Sequence, residues 1–447
     1  MIFKNVNFSI SRKYIPTFII FIYIIFILIH PDFFDNNHYF ISGDFSFHFD
    51  LKNFFLSGTS GFYPNANGGE GGYDQLRYLI DILLRFICYI LNDFLFVPLW
   101  VINRLVLIIP AFFLIYSLFD YINSKVENSF ISSLTAIFIS GSIFMLQNVN
   151  LYVWISTIGT IYFIKFLEDD IKNQKYNNIV ILVVCSVLFF SQLRTVILLI
   201  YLIIFYYTYL IFSKKIKLDY LFKYSLLLLI LISFANSITL FNYFDAKETF
   251  LITNENINLK ETRMHHMMAY NLSNVNPYYI FRFFINTNNA SQILKSEYTF
   301  LYYMSFISFL VFILGIFKAK KLLKHIVIGY LFLILTSFYG TNTVRFFLIN
   351  LPGLWTISSP YHIFIVGVPF ISLSFASGLK NLFDFSKKLK PIVIACVCVT
   401  FFLLNSSLNL NYYLRGILKN NFNTTYLNVP TIFANNYIDV NNDYFKL

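Results

Sequence analysis

Long apolar runs, separated by short polar links, make up most of the chain. A transmembrane helix needs about 20 apolar residues, and roughly eleven runs approach that length. They fall at 14–30, 98–121, 130–147, 149–167, 178–192, 194–213, 223–243, 299–317, 324–339, 361–378 and 390–408. The first run is too long for a removed signal peptide and lacks a small-residue cleavage site, so we expect it to remain as an anchor. The pattern predicts an all-α, polytopic transmembrane bundle.

The links between these runs differ in charge. Basic residues are concentrated in short links, and the positive-inside rule assigns such links, together with the amino terminus, to the cytoplasm. These residues are Lys4, Arg12, Lys13, Lys125, Lys172, Lys175, Lys214, Lys215, Lys217, Lys318, Lys320, Lys321, Lys380, Lys387, Lys388 and Lys390. The opposite side then receives segments 31–97, 244–298 and 340–360 and a carboxyl-terminal tail at 409–447. We therefore expect one transmembrane domain over 1–408 in the plasma membrane, with a short extracytoplasmic tail.

One apolar segment, 75–92, does not fit the pattern of a span. It carries Arg77, Asp81 and Arg85, which lie four residues apart and therefore share one face of a helix. The opposite face is apolar, with Leu79, Ile80, Leu83 and Ile87. An amphipathic helix lying on the outer leaflet is predicted, because a span here would invert every later lysine-rich link.

Composition excludes a soluble globular protein. Hydrophobic residues make up 57% of the 447 positions and charged residues only 12%, and the mean hydropathy is +0.65. The net charge of +11 belongs to the short lysine-rich links, so no nucleic-acid partner is expected. The four cysteines, Cys88, Cys185, Cys396 and Cys398, lie in apolar runs without the spacing of a metal or redox site, and we expect them to be inert packing residues.

Candidate chemistry lies soon after the first run, in the sequence Ile41-Ser-Gly-Asp44-Phe-Ser-Phe-His48-Phe-Asp50. Two carboxylates and an imidazole on the outer face of a membrane protein are typical of a reaction centre. Two alternatives stay open. In the first, Asp44 caps a turn and His48 packs at the membrane interface. In the second, the two carboxylates and His48 bind a divalent metal.

The order of these features resembles the start of the GT-C glycosyltransferases, closest to the arabinofuranosyltransferase AftD group and the YfhO-like membrane proteins. The resemblance rests on a span, a loop opening with Gly43-Asp44, an interfacial helix and the run Val97-Pro-Leu-Trp100-Val-Ile-Asn-Arg104-Leu. A second patch, Asn350-Leu-Pro352-Gly-Leu-Trp-Thr-Ile-Ser-Ser-Pro360-Tyr-His362, is similar to a proline-containing outer loop before a late span. That loop usually carries an arginine before its second proline, where this chain has Ser358 and Ser359.

The resemblance implies a transferase that takes a sugar from a polyprenyl-phosphate-linked donor and passes it to an extracytoplasmic glycan, lipid or protein. Asp44 matches the first acidic residue of the family's outer loop, so it is the expected general base, with Asp50 in reserve and His48 assisting. No cofactor is assigned, and a divalent metal stays an open alternative.

The leaving phosphate needs a cation near the outer end of a span. Arg104, Arg194 and Arg345 are the candidates, because a guanidinium binds phosphate oxygens in a fork and stays charged. The alternative is that these side chains snorkel to lipid headgroups. His362 and Arg263 complete the predicted substrate-binding residues.

Two other functions compete with the transferase. Segment 244–298 contains Lys260, Arg263, His265, His266 and Arg282, which is typical of the outer loop of polysaccharide polymerases and O-antigen ligases. Adjacent histidines point to different sides of a helix or strand, so a metal pair is not expected there. A lipid or oligosaccharide transporter without chemistry would carry ionisable residues in mid-membrane, and the apolar runs look nearly free of them.

Overall fold

A computed structural model describes the helical bundle and several short segments of the loops. The described residues are 38–40, 51–52, 55–56, 62–63, 72–73, 78–142, 151–212, 216–240, 299–317, 322–339, 341–352, 354, 357, 360–385 and 437–439. Eleven named α-helices lie in this part of the chain. They are α1 (Tyr78–Tyr89), α2 (Leu99–Val126), α3 (Ser129–Ser142), α4 (Leu151–Asn173), α5 (Ile179–Phe189), α6 (Leu193–Phe212), α7 (Leu218–Ala235), α8 (Thr299–Leu314), α9 (Leu323–Ser337), α10 (Asn342–Asn350) and α11 (Pro360–Phe385).

The remaining elements are short. A π-helical segment, Ile90–Phe94, follows α1, and a 3-10 turn, Phe190–Gln192, joins α5 to α6. The described strands are β1 (His38–Phe40), β2 (Phe62–Tyr63), β3 (Gly72–Tyr73) and β4 (Tyr437–Asp439). Strands this short add little to a fold that is otherwise helical.

The helices α2 to α9 and α11 fall on nine of the predicted apolar runs, and the first and last runs lie outside the described residues. By length and composition, α2, α4, α6, α7 and α11 are suited to cross a membrane, and the pair α9 and α10, bent by 107°, qualifies together as a sixth. The helices α3 and α5 have only 14 and 11 residues. The described residues therefore contain several helices that are long and apolar enough to cross a membrane, which suggests a membrane protein; the multi-pass topology and the number eleven stay predictions.

Contacts between helices fix their relative directions. Lys125, at the end of α2, ion-pairs with Glu168, near the end of α4, so these two helices run parallel. The Ser191 hydroxyl, just after α5, donates to the Tyr152 carbonyl at the start of α4, so α5 returns antiparallel. Lys380, near the end of α11, donates to the Val126 carbonyl at 3.2 Å.

One end of the bundle therefore collects lysines, and we call it the lysine end. It contains Lys125, Lys172, Lys175, Lys217 and Lys380, at helix ends or in the links beside them. The other end contains the starts of α2, α4 and α6 together with α1, and we call it the arginine end because Arg85 and Arg104 lie there. The segregation of lysines agrees with the pattern of links in the sequence.

The helix α11 forms the centre of the bundle, and its stretch that is suited to cross a membrane is entirely buried. It packs closely against α8 and α9 because glycines remove the side chain at the crossing points. A Cβ at Gly378 would lie 1.8 Å from the Val311 carbonyl oxygen, and one at Gly329 would lie 2.6 Å from the Phe370 carbonyl oxygen. Small residues at contacts are a common way to bring transmembrane helices together.

The first long loop and the carboxyl-terminal tail meet in one antiparallel strand pair. His38 of β1 lies opposite Asp439 of β4, and β1 also contacts α2. Segments 31–97 and 409–447 are therefore in contact at these residues, as two segments on the same side of a membrane can be.

Candidate functional site

Several predicted site residues lie outside the described residues. These are Asp44, His48 and Asp50 of the first loop and Arg263 of the second. The predicted base, the metal alternative and the polymerase-type loop therefore stay predictions without a geometry.

Arg104 lies in the second turn of α2 and is buried. Its side chain is 3% exposed, and Nη1 donates to the side-chain oxygen of Asn103 at 2.6 Å. The helix begins after Pro98, whose carbonyl accepts from Val101 and Ile102, so Arg104 is held on a rigid element. A snorkelling arginine would extend its guanidinium to the headgroups, whereas this one is enclosed by protein.

Arg194 and Arg345 lie in helices near the same end of the bundle. Arg194 is the second residue of α6, next to Thr195, whose hydroxyl lies 3.2 Å from the Ser156 hydroxyl of α4. Arg345 lies in α10, which follows the end of α9 at the arginine end of the bundle. Their side chains lie outside the described part of the structure. His362 is in the first turn of α11 and is fully buried in the centre of the bundle.

A second polar cluster at the arginine end joins α1 to α4. Arg85 Nη2 lies 2.6 Å from Asp81 Oδ2, and the Tyr152 hydroxyl donates to Asp81 Oδ1. Asp81 and Arg85 are 5% and 4% exposed. The spacing of four residues between Asp81 and Arg85 is a signal for an ion pair on a helix, but nothing in the sequence linked them to Tyr152, 71 positions away.

The position of these charges corrects the predicted orientation of the interfacial helix. Segment 75–92 does contain a helix, α1, yet its charged face is turned toward the bundle. Ile80 of the predicted apolar face is buried, whereas Leu83 and Ile87 are exposed. The physical reason is that Asp81 and Arg85 neutralise each other and Tyr152 supplies a hydrogen bond, so both charges tolerate burial.

An apolar groove opens on the side of the bundle between α2, α4 and α5. Its volume is about 480 Å³, and it is lined by Ile109, Pro110, Phe113, Ile155, Ile158, Tyr162, Phe166, Ile181, Val184, Cys185 and Leu188. Along α4 it extends from Ile155, less than one turn below Tyr152, to Phe166, which is about 17 Å of helix. The groove therefore begins close to the cluster of Asp81, Arg85 and Tyr152 and has the chemistry to hold a hydrocarbon chain.

Ionisable side chains also meet at the lysine end. Glu168 lies 2.7 Å from both Lys125 and His325, and Asp120 lies 2.6 Å from Lys165. Lys125 and Glu168 lie outside the predicted apolar runs. Asp120, Lys165 and His325 lie near the ends of theirs, so the middle of α2, α4 and α9 is free of charged residues. These groups lie near one end of the bundle, and α2 carries no charged residue between Arg104 and Asp120.

The described residues contain no group of three or more histidine, cysteine, aspartate or glutamate side chains suited to hold a metal ion. Cys88 and Cys185 are buried free thiols, as expected of packing residues. What the arrangement offers chemically is a buried guanidinium on α2, a buried ion pair on α1 and a hydrocarbon groove below them. Comparisons of the chain with protein-family models, with curated proteins and with solved structures gave no match.

Proposed function

We propose that this protein is a membrane glycosyltransferase of the GT-C type, which transfers a sugar from a polyprenyl-phosphate-linked donor to an extracytoplasmic glycan, lipid or protein. The observation that carries the proposal is the apolar groove between α2, α4 and α5, which begins at the arginine end of the bundle. A lipid-linked donor has an isoprenoid chain and an anionic phosphate, and the groove and the arginines complement these two parts.

The orientation follows from the distribution of lysines. Lysine-rich links favour the cytoplasmic side, so the lysine end is cytoplasmic and the arginine end faces outward. The amino terminus is then inside and the carboxyl terminus outside the plasma membrane. The contact between β1 and β4 is compatible with this assignment, which puts the first loop and the tail on one side of the membrane, but it does not bear on which side that is.

The reaction needs a base and a cation. The acceptor hydroxyl attacks the anomeric carbon of the donor, Asp44 takes the hydroxyl proton, and the bond from the anomeric carbon to the phosphate oxygen breaks with its electron pair on the phosphate. The leaving phosphate gains charge, which a nearby guanidinium stabilises. Arg104 is our first choice for that role because its position on α2 is fixed, with Arg194 and Arg345 as further candidates and Asp50 and His48 in support of Asp44.

The test is transfer by the purified full-length chain in liposomes supplied with labelled polyprenyl-phosphate sugars. We expect Asp44→Asn to lower turnover by about 100-fold or more, the usual contribution of a general base, while Asp93→Asn, an exposed change at the same end, leaves turnover near that of the native chain. Unchanged transfer by Asp44→Asn would reject the base. If Arg263→Gln abolishes transfer and Asp44→Asn does not, the polymerase or ligase function replaces this one.

A further inference from the structure

The helix α1 has an inverted polarity. Its charged residues Asp81 and Arg85 face the bundle, and its apolar residues Leu83, Phe86 and Ile87 are exposed. In water such an arrangement would be unfavourable, since it hides the groups that water solvates best and exposes those that it solvates worst. In a lipid environment the same arrangement is favourable. The surroundings of α1 are therefore apolar.

The turn after α1 continues this exposed surface. Phe94, Leu95 and Phe96 are 64%, 62% and 84% exposed, and Phe96 has a φ of 53°. A left-handed phenylalanine is unusual and costs about 1–2 kcal/mol. Hydrogen bonds hold the turn in this shape: Leu95 N donates to the Ile90 carbonyl and Val97 N donates to the Leu91 carbonyl. The hydrogen-bonded turn therefore keeps three large apolar side chains exposed.

Aromatic packing makes this surface rigid. Phe55 stacks on Tyr89 with ring centroids 5.6 Å apart and lies 5.4 Å from Phe86, and the Tyr89 ring meets Phe94 edge-on at 5.7 Å. Tyrosine is enriched where a protein meets the boundary between headgroups and hydrocarbon, and phenylalanine is wholly apolar. One tyrosine among three phenylalanines therefore suits the hydrocarbon side of that boundary.

We infer that Leu83, Phe86, Ile87 and Phe94–Phe96 form an insertion face, embedded in the lipid at the boundary between headgroups and acyl chains. Its occupant is the bilayer itself. Two observations favour lipid over a protein partner: α2, which contacts the segment Ile90–Phe94 and is suited to cross a membrane, also exposes the apolar residues Ile109 and Phe113, and the charges of α1 are satisfied on the inner side. Asp93 is exposed, and its carboxylate stays with the headgroups. It therefore limits how deeply the insertion face enters the lipid.

The inference does not depend on the proposed function, since it concerns only what surrounds α1. It also changes the character of the predicted interfacial helix. A helix that lies on a membrane turns its polar face to water, whereas α1 turns its polar face to Tyr152 of the bundle. The ion pair of Asp81 and Arg85 is then enclosed between protein and lipid, beside the start of the apolar groove.

The test compares two nitroxide labels three residues apart, Phe96→Cys and Asp93→Cys, in the full chain with its native cysteines replaced by alanine and reconstituted in liposomes. For each label, the measured quantity is the ratio of its collision rate with oxygen to its collision rate with a water-soluble nickel chelate. We expect this ratio to be several-fold higher for the label at 96 than for the label at 93. Equal access of both labels to the nickel chelate would overturn the inference. Shielding of the label at 96 from both reagents, with dipolar broadening between labels, would assign the face to a second copy instead.

A second measurement uses the unmodified chain, so its result does not depend on whether the labelled variants fold correctly. A lipid-soluble diazirine, photolysed in the same liposomes, labels side chains that touch hydrocarbon and is located by peptide mass spectrometry. We expect label on the peptide that contains Phe94–Phe96 and on Phe86, and little on the link that contains Tyr176, an exposed aromatic residue between α4 and α5. Absence of label from Phe94–Phe96 contradicts the insertion face.

Discussion

Glu168 shows how single residues make burial of charge tolerable in this protein. Its carboxylate oxygens lie 2.7 Å from Lys125 and 2.7 Å from His325, so one acidic side chain ties together α2, α4 and α9. Removing an ion from water costs several kcal/mol, and only close partners offset that cost. The three residues must therefore be considered as one unit.

Neutralising Glu168 is expected to destabilise the bundle strongly. In Glu168→Gln the half-buried ammonium of Lys125 loses its counter-charge and His325 loses its ionised partner, so the free energy of unfolding should fall by up to about 3 kcal/mol, the lower end of the cost for a fully buried pair. Thermal unfolding of the purified protein in detergent measures the change. The matched control is Lys223→Ala, which breaks the exposed ion pair with Asp219 and should leave the unfolding temperature nearly unchanged. Equal shifts in the two variants would contradict a special role for the buried unit.

Cys88 is expected to react slowly with alkylating reagents. Burial raises the pKa of the Cys88 thiol to about 11, so the reactive thiolate is scarce at neutral pH and becomes abundant only as the pH approaches 11. The rate of iodoacetamide modification at pH 8, followed by peptide mass spectrometry, should be far below that of an exposed thiol introduced by Asp93→Cys. Comparable rates would mean that Cys88 is open to solvent.

At the scale of elements, the tight contact of α11 with α8 depends on the absence of a side chain at Gly378. The Val311 carbonyl occupies the space where a Cβ would be, and the Ser377 hydroxyl donates to the Gly315 carbonyl of the same contact at 3.0 Å. Backbone on one helix therefore meets backbone on the other.

Even the smallest substitution at this position should separate the two helices. We expect Gly378→Ala to lower the free energy of unfolding by about 1–3 kcal/mol, because α8 has to move away from α11. Ser372→Ala on the same helix is the control, since that hydroxyl donates to the Val368 carbonyl of its own helix, one turn away. The unfolding temperatures in detergent distinguish the two, and a Gly378→Ala protein as stable as Ser372→Ala would show that the contact is loose.

The order and rough positions of the helices were predictable because apolar runs are long and lysine-rich links are short. The orientation of α1 was not, because which face turns inward is decided by Tyr152, far away in the sequence. The sequence predicted an outer loop at 340–360, where the structure has the helix α10. Its nine residues include Arg345 and Asn350 and lack the composition of a span.

The candidate site was predictable in part. Arg104 stood out because an arginine inside an apolar run is costly, and the structure places it in the interior of the bundle. The sequence showed that Asp81 and Arg85 share one face of a helix. It predicted a helix lying on the outer leaflet, whereas this charged face is turned toward Tyr152 of the bundle. The groove had no signal in the sequence, because Ile109, Ile155 and Val184 look like any other apolar residues until α2, α4 and α5 come together.

At the scale of the whole molecule, the groove is the feature through which the proposed donor is expected to enter. Filling its opening should lower transfer without unfolding the protein. We expect Val184→Trp, at the exposed edge of the groove, to raise the donor KM, since the indole occupies the volume of the isoprenoid chain. Val180→Trp, one turn earlier on α5 and outside the groove lining, should leave the KM unchanged.

The measurement is the initial rate of sugar transfer against donor concentration in liposomes, with the unfolding temperature as a check of the fold. If Val184→Trp has an unchanged KM and a native unfolding temperature, the donor does not bind in the groove. That outcome would leave open a transferase in which the chain lies elsewhere, and the Asp44→Asn experiment addresses the chemistry independently.

The ionisable groups at the two ends also set a length scale. Arg104 and Asp120 are separated on α2 by sixteen positions, which correspond to about 24 Å along the helix, less than the roughly 30 Å of hydrocarbon in an average bilayer. Because Arg104 is enclosed by protein, the bilayer beside α2 does not have to thin in order to solvate it. With Asp120 at one boundary of the hydrocarbon, we expect Arg104 to lie about 6 Å inside the other, so a lipid phosphate that reaches this guanidinium must sink below the neighbouring headgroups.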